Sequence, residues 1–172
     1  MNFRIQTASP EQTMAVGEAL GGVLQLGDLL ALDGELGSGK TTLCTGIGRA
    51  LKSEVPFSSP SYLLCKEYQT EQGIVLHLDA YFHHRLDSLL GEGLIERLDG
   101  EHLVLIEWAS RIQDWLPGDG IWLQLEANAG EEECRILQFR AVGARAETRL
   151  EEFCQVLEKQ GICAEPLPPE TR

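Results

Sequence analysis

The stretch that most limits what this chain can fold into is Gly34-Glu35-Leu36-Gly37-Ser38-Gly39-Lys40-Thr41, read with what stands on either side of it. Before it runs Leu29-Leu30-Ala31-Leu32, a short uninterrupted apolar run of the kind a strand buried on both faces requires. After it, Lys40 to Lys52 reads as a helix. The stretch matches G-x-x-x-x-G-K-[ST] at every fixed position, between a strand and a helix as that motif demands. Its glycines let the backbone curl so that successive N–H groups point inward at phosphate oxygens, and the helix N-terminus adds the positive end of its dipole. The residues therefore define a phosphate-binding loop over Gly37, Ser38 and Gly39. Lys40 is expected to reach the β- and γ-phosphates, the Thr41 hydroxyl to ligate Mg²⁺, and Thr42 to add a hydroxyl near the α-phosphate.

The remaining pattern builds an α/β domain around that loop. Ser9-Pro10-Glu11-Gln12 reads as a helix start, with Ser9 as N-cap, Pro10 at the first helical position and Gln12 closing a capping box. Apolar residues from Met14 to Leu24 follow at helical spacing, ended by Gly27-Asp28. Tyr62 to Tyr68 and Ile74 to Asp79 are expected as strands joined by a turn at Thr70-Glu71-Gln72-Gly73. Leu103-Val104-Leu105-Ile106 is a second fully apolar run and a second central strand. Ile121 to Glu126 and Cys134 to Ala141 alternate, as peripheral strands with one wet face would. Asp87 to Leu98 carries leucines at mixed helical spacing, and Glu147 to Lys159 reads as an amphipathic terminal helix. The expectation is one domain over 1–160 and a loose tail over 161–172, where Pro166-Leu167-Pro168-Pro169 stands.

Charge narrows the partners. Lys and Arg number 14 against 27 Asp and Glu, a formal net charge of −13, which opposes stable direct binding of nucleic acid by this chain alone. No apolar run approaches the roughly 20 residues of a membrane span, and the first residues lack the apolar core of a signal peptide. The five cysteines are odd in number and form no C-x-x-C pair, so a reducing cytoplasm is the expected setting and each reads as a small core or surface residue.

A magnesium nucleotide site needs a hard oxygen ligand at the end of a neighbouring strand. Glu107 closes the run from Leu103, and Asp79 closes the run from Ile74. In an open parallel sheet both acids fall at the carboxyl ends, where ligands gather. One would hold the metal or its water and the other orient the attacking water; spacing does not assign the two tasks. Trp108, directly after Glu107, would sit at the mouth of the same site, either stacked on a purine or packed in the core. Ser58-Ser59-Pro60-Ser61-Tyr62 places hydroxyls on a loop after the phosphate-binding helix, although its motif content alone marks only a turn. His77, His83 and His84 flank Asp79 without the spacing of a transition-metal site. Arg85, Arg97 and Arg111 are candidates for a transition-state arginine, and nothing in the sequence selects among them.

Four motifs in this order resemble one family, the small bacterial ATPase of tRNA threonylcarbamoyladenosine synthesis known as TsaE or YjeE. They are Gly34-Glu35-Leu36-Gly37-Ser38-Gly39-Lys40-Thr41-Thr42, Ser59-Pro60-Ser61-Tyr62, His77-Leu78-Asp79-Ala80-Tyr81 and Leu105-Ile106-Glu107-Trp108, with order and spacing agreeing from about Thr7 to Leu125. The resemblance implies a three-layer, P-loop NTPase-like fold with a mostly parallel central sheet and peripheral antiparallel strands. It implies an ATPase, weak alone, that uses ATP and Mg²⁺ and acts with the partner proteins TsaD and TsaB. It also implies site roles: Thr41 and Glu107 for magnesium, Asp79 for hydrolysis, Trp108 against the nucleotide, and Ser59 to Tyr62 as a nucleotide-sensitive switch. Two departures stand out. Phe82 occupies the place of the family's arginine after Tyr81, and the acidic E-E-L helix is reduced to Asp87-Ser88-Leu89-Leu90.

Rival readings of the loop separate on sequence. A small-molecule or nucleotide kinase would carry an arginine-rich lid, and no arginine cluster is present. A regulatory GTPase needs a base-reading N-K-x-D, whereas the only asparagines are Asn2 and Asn128. A nucleotide-gated adaptor differs from the ATPase only by lacking turnover.

Overall fold

The structure is a computed structural model that describes residues 1–60, 64–82, 97–98, 100–128, 130–131 and 133–168. The run Leu29 to Leu32 forms β2 (Leu29–Asp33), whose side chains alternate between the two faces of a sheet. Leu30 and Leu32 pack with the helices, while Leu29 and Ala31 join the opposite cluster, so both faces are covered and a continuous apolar run results. The other strands are β1 (Asn2–Thr7), β3 (Cys65–Thr70), β4 (Gly73–Asp79), β5 (Leu103–Glu107), β6 (Gly120–Ala127), β7 (Arg135–Val142) and β8 (Glu165–Pro166). Together they form one sheet in the order β3-β4-β5-β2-β6-β7-β1-β8. β4, β5, β2 and β6 run parallel, and antiparallel pairs flank them at β3–β4 and β6–β7.

Helices α1 (Pro10–Gly21), α2 (Lys40–Ala50) and α3 (Ala144–Lys159) cover one face of this sheet. The other face carries a 3-10 helix, Ala109–Trp115, whose Ala109 and Ile112 pack on Ala31, Leu76, Val104 and Ile106. α1 begins as the sequence expects: Ser9 Oγ accepts from the Gln12 N–H, and Gln12 Oε1 accepts from the Ala8 N–H, one residue earlier than a standard capping box. α1 and α2 meet through glycines. A methyl group at Gly46 would collide with the Met14 carbonyl oxygen, and one at Gly17 with that of Leu43. The helix behind the phosphate-binding loop is thus braced backbone to backbone.

Several sequence expectations change. β6 is not peripheral: it lies inside the sheet, parallel to β2, with Leu30 opposite Ile121 and Asp33 opposite Gln124. It alternates because Gln124 and Glu126 lie exposed on one face while Leu123 and Leu125 are buried on the other. β1 falls on a segment with no expected element, yet Phe3, Ile5 and Thr7 alternate into the core and pair with β7. The tail expected to be loose is docked as far as residue 168: Ile162 and Ala164 pack on the core, β8 pairs with β1, and Arg4 holds Glu165 at 2.7 Å. Residues 169–172 lie outside the described residues, as do Ser61, Tyr62, His83, His84, Arg85 and most of the leucine-bearing stretch from Asp87. β3 starts at Cys65. Among the described residues no helix is long and apolar enough to cross a membrane.

Candidate nucleotide-binding site

The loop between β2 and α2 needs its glycines at two points. Gly34 sits at φ 147° with its α-carbon so close to the Leu125 carbonyl oxygen that any side chain would collide. Gly39, the N-cap residue just before α2, sits at φ 103°, a left-handed conformation open chiefly to glycine. No side chain caps α2, so the N–H groups of its first turn are left facing the loop. That is the arrangement in which a helix terminus holds an anion.

Lys40 is buried and turned back on its own loop. Its Nζ donates to the Gly34 carbonyl oxygen at 2.6 Å and to that of Glu35 at 3.0 Å, and lies 4.5 Å from the Trp108 ring centre. Burial holds its ammonium below the usual lysine range, and the charges of Glu107, Asp79 and Asp33 oppose that shift. Asp79 and Glu107 end adjacent parallel strands in direct register, and both are buried. Asp79 Oδ1 accepts from the Tyr81 N–H at 2.8 Å, and the Ala80 N–H donates to the Glu107 carbonyl oxygen at 2.9 Å, which locks the two strand ends together. Glu107 Oε1 lies 3.0 Å from His77 Nε2. Cys44, on α2, completes a wall in which one ligand atom each from Cys44, His77 and Glu107 lies within 4.8 Å of the others. Burial pushes the Cys44 thiol well up.

Trp108 has φ 58° and ψ 38°, a left-handed conformation rare for a bulky residue. The chain reverses there from β5 into the 3-10 helix, which leaves the indole half-buried at the site. Tyr81 meets its ring at 5.1 Å. Gly37, Ser38, Gly39, Lys40, Thr41, Thr42, Asp79, Glu107 and Trp108 share one pocket of about 260 Å³. The loop from Gly37 to Thr42 forms one wall, with Asp79, Glu107, Trp108 and Ser59 around it. The donor set of Thr41, Glu107 and Asp79 is all oxygen, which suits a hard cation beside phosphates.

The sequence candidates outside this pocket sort by partner. Arg97 is spent on Glu67 at 2.6 Å. Arg111 stacks on Tyr81 and Trp108, 4.6 and 5.2 Å from their ring centres, and donates to the Tyr81 carbonyl oxygen. Asp33 is a residue that sequence reasoning missed. It closes β2 as Glu107 closes β5, and it accepts from the Ser110 hydroxyl at 2.8 Å and from the Ser110 N–H. Its signal was available, since it is a third acid ending a parallel strand. A larger cavity of about 480 Å³ is lined by Asp33, Ser110, Trp122, Gln138 and Arg140 among others, and shares no residue with the nucleotide pocket.

A glycine loop joining a buried parallel strand to an uncapped helix, with acids on the neighbouring strand ends, defines a P-loop nucleotide-binding protein of the α/β class. The model of the family described as threonylcarbamoyl adenosine biosynthesis protein TsaE matches residues 7–136. The chain belongs to the TsaE family. It is 34% identical over 148 residues to the tRNA threonylcarbamoyladenosine biosynthesis protein TsaE of Bacillus subtilis, covering 86% of this chain and 91% of that one. The same-named protein of a Nostoc species is 36% identical over 118 residues, 63% of this chain and 69% of the other. The crystal structure of Bacillus subtilis YdiB superposes with a TM-score of 0.73 at 29% identity, over 90% of this chain and 95% of that one.

Proposed function

We propose that this chain is a Mg²⁺-dependent ATPase that serves tRNA threonylcarbamoyladenosine modification in the cytoplasm by binding and resetting a TsaD–TsaB transferase complex. The observation that carries the reading is the convergence of Lys40, Asp79 and Glu107 on one pocket walled by the Gly37 to Thr42 loop.

In this reading the N–H groups at the start of α2 bind the phosphates, and Lys40 leaves the Gly34 and Glu35 carbonyls to neutralise the β- and γ-oxygens. Thr41 and Glu107 would hold Mg²⁺, which when bound supplies charge neutralisation across the phosphates. Asp79 orients the attacking water, held in place by the Tyr81 N–H. Trp108 covers the nucleotide, and Thr42 lies near the α-phosphate. Phosphoryl transfer asks the protein for positioning and charge rather than covalent chemistry, so a site whose lysine rests on its own loop carbonyls is slow until a partner completes it. The acidic chain, at −13, leaves contact with the tRNA to the partners.

The test is release of ADP and phosphate from Mg-ATP, with and without the TsaD–TsaB pair. Equal amounts of both, rising when the pair is added and lost in Lys40→Ala, are the expected result. ADP without phosphate would point to a kinase, and nucleotide binding without either product to an adaptor.

A further inference from the structure

We infer that His77 is a positioning residue for Glu107: it fixes one carboxylate oxygen so that the other is presented to the metal beside the phosphates. The inference rests on the reading of Glu107 as a magnesium ligand and adds a residue to which no role has yet been given.

The geometry begins with strand periodicity. His77 and Asp79 stand two apart on β4 and share its helix-side face, while Glu107 ends β5 directly opposite Asp79. One strand therefore sends Asp79 into the pocket and His77 against the carboxylate next to it. His77 is fully buried, and its Nε2 lies 3.0 Å from Glu107 Oε1. A carboxylate only accepts, so the ring proton sits on Nε2 and donates. Nδ1 is buried with no hydrogen-bond partner among the described residues. Within that set the ring's side-chain hydrogen bond is the one to Glu107, so an imidazole rather than an apolar residue stands here at the cost of a buried polar nitrogen.

The ring has no freedom to turn away. Phe57 and Tyr68 each lie with their centres 6.2 Å from it and 4.1 Å from each other. The Tyr68 hydroxyl accepts from the Ser58 N–H and donates to the Ser58 carbonyl oxygen, so this aromatic block also anchors the loop that brings Ser59 to the pocket. Groups that hydrogen-bond a metal's ligand set its orientation, and their loss costs about 10–100-fold in metal affinity.

The experiment titrates Mg²⁺ against binding of a fluorescent ATP analogue, and in parallel against phosphate release, for wild type, His77→Phe, His77→Asn, His77→Gln and Glu107→Gln. Thermal melts identify variants that fail to fold. The Mg²⁺ midpoint should rise about tenfold in His77→Phe and His77→Asn, with metal-free nucleotide binding unchanged. His77→Gln, whose amide nitrogen reaches where Nε2 lies, should recover most of the shift; a purely structural histidine would not separate Gln from Asn in this readout. An unmoved midpoint in folded Phe and Asn variants, with Glu107→Gln shifted, overturns the role of His77. An unmoved midpoint in Glu107→Gln overturns the reading of Glu107 itself, and the inference with it.

Discussion

Buried carboxylates stand at both ends of the parallel strands, and they are kept in opposite ways. At the amino end, Asp28 precedes β2 and meets Arg149 of α3 at 2.8 Å, while the Gln25 N–H donates to the same oxygen. Arg149 is itself mostly buried and also holds Glu152 and Gln25. Here charge is matched by charge, and the pair ties α3 to the sheet. At the carboxyl end, Asp79 takes a backbone N–H and Glu107 takes an imidazole, while Lys40 gives its protons to loop carbonyls. At the amino end the acid meets a counter-charge; at the carboxyl end the described contacts of the two acids include a backbone N–H and an imidazole, with the nearby lysine engaged on its own loop. In the proposed reading the difference separates a structural end of the sheet from a working one.

The comparison breaks or holds by substitution at each end. Asp79→Asn should lower phosphate release by about a hundredfold or more while the melting temperature stays within a few degrees. A large fall in melting temperature instead would make this end structural too. Arg149→Met should do the reverse: leaving buried Asp28 with Arg145 at 3.9 Å but without Arg149 costs up to about 3 kcal/mol, at most roughly 6–12 °C in a chain of this length, with nucleotide affinity unchanged. Asp28→Asn in the same background should restore part of that loss, read in urea melts.

A smaller effect comes from a buried thiol, Cys44, near Glu107 and Lys40. The Cys44 thiol is raised by burial, so its contribution is fully present below the ordinary thiol range and is lost as pH climbs above it. Stability should therefore fall as pH rises above about 8.5, by up to about 1.4 kcal/mol per pH unit, and less steeply in Cys44→Ala. At the far edge, Arg4→Ala removes an exposed pair with Glu165 and should cost about 0.5 kcal/mol or less.

The working end was largely legible because each of its parts is local in sequence. An apolar run closing on an acid gave Asp79 and Glu107, and the glycine spacing gave Gly37 to Thr42. The partnerships were not legible, since they join residues far apart in the chain. His77 and Glu107 are 30 residues apart, and β1 finds its partners in β7 and β8, beyond the whole parallel core. The left-handed turn at Trp108 is imposed by packing of the 3-10 helix on the sheet, and no residue type at that place announces it. β6 misled for another reason. Alternation reports a wet face, and a strand can have one while its two edges are fully paired.

The lysine folded onto its own loop has one more consequence. With two of the three Nζ donors engaged by the Gly34 and Glu35 carbonyls, binding of phosphate is in large part an exchange of acceptors rather than the filling of an empty demand. A ligand oxygen must outcompete two short hydrogen bonds, and a neutral acceptor gains nothing by doing so. Only a group carrying concentrated negative charge makes the exchange favourable. The loop thereby discriminates by charge density before any contact with the base or sugar is made, and a chain of phosphates is favoured over a single one.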